Sequence, residues 1–338
     1  MALLAPLGAV QTGAQQIGKD RAGKDQAGKG QAASVTTTAP ADTVATLRRD
    51  FKDSFPIPAG EKLEYEVKIS RFPLPRPVSL GVLTFESLGA VTSRQDSETA
   101  TGDQQKAPTP LIQGLNTELT AAPDEQLWRL RATAVSKGMF VAMVGFDANY
   151  RYETLVDLRD FSARANVKEV KEGKKHFVQS SLFDRAEQQV KYLTTDLTKP
   201  DAPPRAKPLP RQEGMLSLLS AIYFVRLQKL QEGQILTFPV STDEENYQFE
   251  VLVGKRESIK TDCGKVKTVR LEPKLFGPGR FFNKLQGEMI MWVSDDDKRT
   301  PLRLVAKTSK GTITAKLLNF KKKCHIIDQE DEGNRKKN

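Results

Sequence analysis

The chain has 338 residues, a formal net charge of +10, a hydrophobic content of 38% and a charged content of 28%. No apolar run reaches the roughly 20 residues that a membrane helix needs, so we expect no transmembrane segment. The basic residues form no compact face with interleaved aromatics, which argues against a specific nucleic-acid partner. Two cysteines exclude a disulfide-dense scaffold and a cysteine-based zinc site.

Residues 1–53 predict a disordered N-terminal tail. Residues 1–10 are apolar and small residues follow at Thr12-Gly13-Ala14, as at the end of a secretory signal, but a positively charged start is missing. The segment is either a signal remnant or a plain disordered terminus. Residues 15–50 repeat a five-residue theme of Gly, Gln and paired charges, which is typical of a flexible linker. Residues 41–52 could form a short helix.

The first predicted strand covers residues 63–69, where apolar residues alternate with Lys and Glu. Residues 78–87 are its expected antiparallel partner. Residues 89–125 consist mostly of Thr, Ser, Gln, Asp, Ala and Pro, so we expect a disordered insertion there.

Further strands are predicted between this insertion and a proline-rich run. They cover residues 127–135, 150–156, 163–170, 175–182 and 188–193. Residues 138–146 are continuously apolar, so their periodicity does not distinguish a strand from a helix. Prolines at 200, 203, 204, 208 and 210 predict a stiff, extended loop.

Residues 214–230 form the only long segment that has the pattern of a helix from start to end. Apolar residues occupy two adjacent rows, one from Leu216 to Leu230 and a second that contains Met215, Leu218, Ile222 and Val225. Gly233 follows as a stop signal. Only a narrow stripe is polar, near Ser217, Ser220, Gln228 and Gln231. We therefore expect β-strands to wrap around this helix.

The last third of the body predicts a meander of short strands. These cover residues 235–240, 247–253, 257–259, 265–272, 288–293, 302–308 and 312–320. A turn is expected at Gly254 and a loop with exposed aromatics at 276–282. Residues 321–338 are a flexible charged tail.

Together these elements predict a mainly β (β-rich α+β) protein. Its fold is a large curved antiparallel sheet, or open half-barrel, wrapped around one central helix. Strands that are joined by turns need no crossover helices, so one helix suffices. We expect a single β-rich domain over 54–320, because neither half has a helix of its own to cover its apolar face.

Several segments carry a family resemblance through their order and spacing. They are the Ala59-Gly60-Glu61-Lys62-Leu63-Glu64-Tyr65 opening, Ser220 to Arg226 with Leu230 and Gly233, Gly264-Lys265-Val266 with Val269 and Pro273, and Met291 to Asp296 with Pro301 and Gly311. The chain resembles the bacterial exported family known as domain of unknown function 3108 over roughly residues 55–320. The resemblance implies an envelope-located, β-rich domain with no established catalytic residues. A more distant likeness to open-barrel carriers that shelter lipoproteins is an analogy of fold only.

Candidate catalytic and metal-binding residues are few. His176 and His325 are the only histidines, and no Gly-x-Ser-x-Gly elbow is present, so no nucleophilic triad is predicted. Asp295-Asp296-Asp297 predicts a polar hairpin turn in preference to a calcium loop, because the acids do not alternate. A glycosidase-like pair of carboxylates would draw on five acids that sequence cannot place: Glu61, Glu153, Asp157, Asp184 and Glu288.

Six residues are predicted to bind a ligand if the sheet leaves space beside the helix. They are Tyr65, Tyr223, Phe224, Arg226, Phe249 and Trp292. Core packing is the alternative for the aromatics. Arg226 is charged on an otherwise apolar helix, so it must be paired, with Asp295 or Asp296 as candidate partners, or must contact an anion in a cavity.

The functional prediction is a non-enzymatic, exported protein of the periplasm or cell envelope. It would bind a lipid or other apolar ligand, or an envelope protein, without a cofactor and as a monomer. The alternative is a carboxylate-dependent hydrolase or lyase that acts on an envelope polymer. Whether Cys263 and Cys324 form a disulfide stays open.

Overall fold

The computed structural model describes residues 51, 55–91, 126–137, 147–262, 264–283, 285–309 and 311–318. Predictions for residues 1–50, the apolar run 138–146 and the charged tail fall outside these ranges, as do Cys263, Cys324 and His325. Phe51, which was assigned to the disordered N-terminal tail, is described and is buried in the core, where its ring contacts Phe55 and Phe161. In the part of the chain that is described, fifteen strands belong to one sheet and one α-helix is present. The division into one domain and two tails stays a prediction.

Nine strands precede the helix, and the first eight form an antiparallel run in which neighbours along the chain pair with each other. These eight are β1 (Glu61–Ser70), β2 (Val78–Val91), β3 (Leu127–Ser136), β4 (Ala148–Asp157), β5 (Ala163–Glu172), β6 (Lys175–Asp184), β7 (Gln189–Asp196) and β8 (Arg205–Pro210).

The two-residue strand β9 (Leu216–Ser217) leads directly into the helix α1 (Leu218–Arg226). The strands after the helix are β10 (Ile235–Thr242), β11 (Glu245–Thr261), β12 (Gly264–Pro273), β13 (Gly287–Ser294), β14 (Pro301–Thr308) and β15 (Gly311–Leu317). The order across the sheet is β8-β7-β6-β5-β4-β3-β2-β1-β15-β14-β13-β12-β11-β10-β9. Every pair is antiparallel except β9 with β10.

The predicted fold class is confirmed, and three local predictions are wrong. The proline-rich run contains β8, which pairs with β7 and is a terminal strand of the sheet. Proline is tolerated there because an edge strand has one side without ladder hydrogen bonds. Gly254 is not a turn, because β11 continues through it with a bulge between Val253 and Arg256. Strand β2 extends to Val91, into the stretch assigned to the insertion.

The helix is shorter than the predicted 214–230. It begins at Leu218 because Ser217 is extended and hydrogen-bonds as part of β9, and it ends at Arg226, before the cap residue Leu227. The polar residues of the helix segment act as caps and are buried, apart from Gln231. Ser217 forms a capping box with Ser220, and the Gln228 side chain donates to the Phe224 carbonyl oxygen at 3.1 Å. The polar stripe thus satisfies the helix ends inside the protein.

We expect Ser217→Ala to lower the free energy of unfolding by about 1 kcal/mol, the usual cost of losing an N-cap. The Ser217 hydroxyl accepts from the Ser220 amide at 3.1 Å and lies 3.0 Å from the Thr154 hydroxyl on β4. Urea denaturation of the variant measures the loss. Ser258→Ala, at an exposed position of β11, is the matched control and should change stability by less than about 0.5 kcal/mol. Equal effects of the two substitutions would contradict this role of the cap.

Side chains join the two ends of the sheet where its hydrogen-bond ladder ends. The tip of the β10–β11 hairpin carries Asp243 and Glu244, both at positive φ (53° and 61°). A group of contacts, which we call the seam, connects this tip to β5–β8. Its members are Lys168 with Asp243, and Gln179, Thr194, Arg205 and Lys207 with Glu244. The seam thus connects the β10–β11 hairpin to strands β5–β8, with which it shares no backbone ladder.

Candidate functional site: an apolar cavity beside the helix

A cavity of about 110 Å³ lies between α1 and the concave face of the sheet. It is lined by strands β1, β2 and β10–β15, by Leu275 just after β12, and by the helix. The lining residues are Tyr65, Val67, Leu83, Phe85, Leu218, Ala221, Ile222, Val225, Phe238, Phe249, Val251, Pro273, Leu275, Met289, Met291, Pro301, Arg303, Leu304, Ile313 and Ala315. One water-sized group occupies about 10–15 Å³ by this kind of measure, so the cavity holds on the order of eight methylene-sized groups.

The helix leaves one apolar row facing this space. Leu218, Ile222 and Val225 all line the cavity, and the first two are only half-buried. The other row, which includes Leu219, Tyr223 and Leu227, is buried. The helix therefore packs against the sheet on one side and bounds an apolar space on the other.

A second, smaller pocket of about 30 Å³ adjoins the cavity. Both spaces are lined by Leu83 and Phe85 of β2 and by Leu218 and Ile222 of α1. The smaller pocket extends the apolar surface to Ala132, Ala134 and Tyr152 on β3 and β4. The two together form an apolar groove that runs along the helix and across β2.

Polar groups of the cavity wall are already engaged. The Tyr65 hydroxyl donates to the Pro301 carbonyl oxygen at 2.8 Å, and burial raises the pKa of Tyr65 far above its usual range. Arg303 is the one charged lining residue, and its guanidinium donates to the Lys260 carbonyl oxygen at 2.8 Å. The wall therefore favours hydrocarbon, because burial of a polar ligand group there without a partner would be costly.

Two of the six predicted ligand-binding residues, Tyr65 and Phe249, line the cavity. Phe224 packs between Phe161 and Phe238 in the core, at ring-centroid distances of 6.1 and 5.4 Å. Tyr223 is fully buried beside Arg226. The Trp292 indole donates to the Glu257 carboxylate at 2.6 Å, away from the cavity wall. Ligand binding by the six residues stays a prediction.

Arg226 is paired, as one reading of the sequence required, but its partner is Glu61 and neither candidate aspartate. The two guanidinium NH groups donate to the two carboxylate oxygens at 2.7 and 2.9 Å. The side chains are 2% and 6% exposed. Burial lowers the pKa of Arg226, but hydrogen bonds and the charge of Glu61 outweigh this and raise it overall. The sequence could not have indicated Glu61, which lies at the start of β1 among alternating charged residues.

Asp295, Asp296 and Asp297 lie in the turn between β13 and β14. Asp295 pairs with Arg256 at 3.2 Å, and Asp296 accepts from the Ser294 hydroxyl and the Arg299 amide at 2.6 and 2.9 Å. His176 contacts Glu169 at 3.0 Å on the half-exposed surface of β5 and β6. Among the residues that the structure describes, no group of three His, Cys, Asp or Glu side chains is placed to hold a metal ion.

The five candidate carboxylates are distributed among separate ion pairs, and none of them lines the cavity. Glu153 is completely buried against Arg131 and Arg151. The others pair with different cations, namely Glu61 with Arg226, Asp157 with Arg159 and Arg185, Asp184 with Lys191, and Glu288 with Lys307. No two of these five carboxylates therefore share an apolar cleft.

Sequence reasoning missed most of the wall. The signal was present for Leu218, Ile222 and Val225, which form the second apolar row of the helix, but that row was assigned to packing. For Met289, Met291, Leu304 and Ile313 the alternation showed an inward face without showing which part of it the helix covers. The cavity depends on the position of the helix across the sheet, which no local pattern encodes.

The fold and the cavity define a class: an open antiparallel sheet around one helix, with an apolar groove between them. The chain belongs to the family described as "Protein of unknown function (DUF3108)", whose model matches residues 114–318. The match begins after β2, so the opening segment quoted for the resemblance lies outside it. Among curated proteins, no significant match was found.

A solved structure with a similar fold is a β-barrel-like protein of the domain of unknown function DUF1849 from Brucella abortus. It is 10% identical, and the alignment covers 77% of this chain and 96% of that one, with a TM-score of 0.43. No helix within the described ranges is both long and apolar enough to cross a membrane.

Proposed function

We propose that this protein is a non-enzymatic binding protein that holds an apolar ligand in the cavity beside α1. The observation that carries the proposal is a wall built from hydrocarbon side chains, in which the Tyr65 hydroxyl and the Arg303 guanidinium are already bonded to carbonyl oxygens. Binding sites of this kind are concave and mostly apolar, with few polar groups. The volume suits a short acyl chain or an aromatic group of similar size.

The alternative of a carboxylate-dependent hydrolase or lyase finds no support in this cavity. Such chemistry needs two acids across a cleft that also admits the substrate. The five candidate acids each have cationic partners elsewhere in the fold. An apolar wall without a carboxylate can bind a ligand but cannot transfer protons to it.

The proposal includes export to the periplasm or cell envelope and a monomeric state. The support for export is the apolar start of the chain, followed by small residues and a polar linker. Cell fractionation of the tagged full-length protein tests the location.

We expect Ile222→Trp to weaken binding of 1-aminonaphthalene, a neutral two-ring fluorescent probe whose size is close to that of the cavity with its adjoining pocket, by about tenfold or more. The half-buried Ile222 lines both the cavity and the smaller pocket, so an indole there fills space that the probe needs. Fluorescence titration with excitation beyond tryptophan absorption gives the dissociation constants. The matched control is Leu193→Trp on β7, where the leucine is 44% exposed. Equal affinities of the wild type and both variants would show that the probe binds elsewhere.

A further inference from the structure

The turn between β1 and β2 carries the most exposed large hydrophobic side chain in the described part of the chain. Phe72 is 94% exposed, whereas the next such residues, Leu193 and Leu197, are 44% exposed. Arg71 and Arg76 flank it and are also exposed. Within the described ranges, neither guanidinium takes part in an ion pair. The turn therefore presents one aromatic ring between two positive charges.

This turn joins the two strands that form one side of the cavity. Tyr65 and Val67 on β1 lie opposite Leu83 and Gly81 on β2, so the wall approaches the end of the sheet where the turn lies. On the other side of β1, Ile69 pairs with the lining residue Ile313 of β15. Phe72 thus follows the last inward residues of β1 by a few positions. The exposed ring and the apolar cavity belong to the same end of the molecule.

Two turns at this end expose basic side chains. The antiparallel order places the β5–β6 turn at the same end, and it exposes Lys171, Lys174 and Lys175. The tip of the β10–β11 hairpin lies at the same end and exposes the acidic Asp243 and Glu245. The β1–β2 and β5–β6 turns are therefore the parts of this end that attract anionic surfaces.

We propose that this end of the sheet docks on an anionic lipid membrane. The Phe72 ring enters the boundary between head groups and acyl chains, and Arg71 and Arg76 bind lipid phosphates. Aromatic rings favour this interface, and basic residues near it are attracted to anionic lipids. Docking itself does not depend on the proposed function. Its purpose does, because the docked protein would take a lipid acyl chain into the cavity.

A membrane explains this turn better than a protein partner does. Protein interfaces surround an aromatic anchor with further contacts that exclude water. Here the turn is Arg71-Phe72-Pro73-Leu74-Pro75-Arg76-Pro77, and its other large apolar side chain, Leu74, is half-buried, so the Phe72 ring projects among prolines and two arginines. A lipid surface requires no matching pocket, because acyl chains rearrange around an inserted ring.

The test is co-sedimentation of the full-length protein with vesicles of phosphatidylcholine, alone or with an equal part of phosphatidylglycerol. We expect tighter binding to the mixed vesicles and weaker binding as salt is raised. Arg71→Gln with Arg76→Gln should weaken the binding about 25-fold, at roughly fivefold per arginine. Phe72→Ser should weaken it about tenfold or more.

Matched controls lie at a distance from this end. Ile235→Ser, at the 41% exposed start of β10, controls for loss of an apolar side chain. Lys229→Gln with Lys255→Gln, both exposed, controls for charge. All variants keep residues 1–53, so any contribution of that segment is constant. The controls should bind as the wild type does.

Two outcomes would overturn the docking proposal: absence of vesicle binding by the wild type, or losses in the controls that equal those in the turn variants. A soluble probe separates this result from the cavity. If 1-aminonaphthalene binds and vesicles do not, the docking proposal fails while the proposed function stands. If vesicles bind and the probe does not, the docking proposal stands while the proposed function fails.

Discussion

Glu61→Ala should lower the free energy of unfolding by about 3–5 kcal/mol, the usual cost of removing one partner from a buried ion pair. The side chains of Glu61 and Arg226 are 6% and 2% exposed. Without the carboxylate, the guanidinium keeps the Lys298 carbonyl oxygen at 3.2 Å and the Tyr223 ring at 5.4 Å. Neither contact supplies a negative charge. Urea denaturation at neutral pH measures the loss.

The double substitution Glu61→Leu with Arg226→Met separates the value of the pair from the cost of an orphaned charge. Replacement of both partners by apolar residues of similar size is often neutral or stabilising, because two desolvation penalties disappear together. We expect the double variant to be more stable than Glu61→Ala and than Arg226→Met. A loss below about 1 kcal/mol for both single variants would show that water reaches the pair in solution.

This pair also has an architectural consequence. Arg226 is the last residue of α1 and Glu61 is the first of β1, and these positions are 165 residues apart in the chain. The salt bridge therefore fixes the end of the helix against the middle of the strand order. The cavity wall that β1 and the helix share depends on that position.

Much of the fold could be predicted from local pattern. Alternation at residues 63–69 indicated β1 because one face of that strand is buried and the other is wet. Turn-linked strands with a single apolar helix indicated an antiparallel sheet around it. These signals are local, because the side-chain period of a strand (two) or of a helix (3.6) shows which face is buried within a few residues of sequence.

The sequence predictions that failed concern features that are set by contacts between distant parts of the chain. Strand β8 is exposed along most of its length and rich in proline, so it has no strand pattern of its own, and only its contact with β7 defines it. Ser217 and Gln228 appeared to mark the polar side of a helix, whereas tertiary contacts bury them as caps. The cavity is likewise the space left between the helix and the sheet, and a sequence pattern reports which residues face inward but not the gaps among them.

The seam explains how the two ends of the sheet stay in contact although no backbone ladder pairs them. The Glu244 carboxylate accepts from Arg205 at 2.7 Å, from Gln179 at 2.9 Å and from Thr194 at 3.0 Å. Lys207 donates to the Glu244 backbone carbonyl oxygen at 2.8 Å. A glutamate at φ 61° is unfavourable by itself, and these contacts offset that cost. Glu244 thus accepts hydrogen bonds from side chains on three strands, β6, β7 and β8.

Glu244→Gln should lower the free energy of unfolding by about 1.5–3 kcal/mol at pH 7, because hydrogen bonds to a charged group are lost or weakened. Burial raises the pKa of Glu244, but the hydrogen bonds of Arg205 and Thr194 and the charges of Arg205 and Lys207 lower it more. Since the pKa is depressed in the folded state, the stabilisation is complete above the unfolded value of about 4.3 and is lost as pH falls through the folded value.

The measurement compares unfolding of the wild type and the variant by urea at pH 7 and again at about pH 3, below the ordinary range of a glutamate. The other acids are present in both proteins, so the difference between the two reports the substitution at Glu244. The difference in the free energy of unfolding between wild type and variant should become smaller at acidic pH. It should also become smaller in high salt, because Arg205 is 62% exposed. Glu232→Gln, at an exposed position between α1 and β10, should cost less than about 0.5 kcal/mol at either pH. A gap that persists unchanged at acidic pH would mean that shape and not charge holds the sheet ends together.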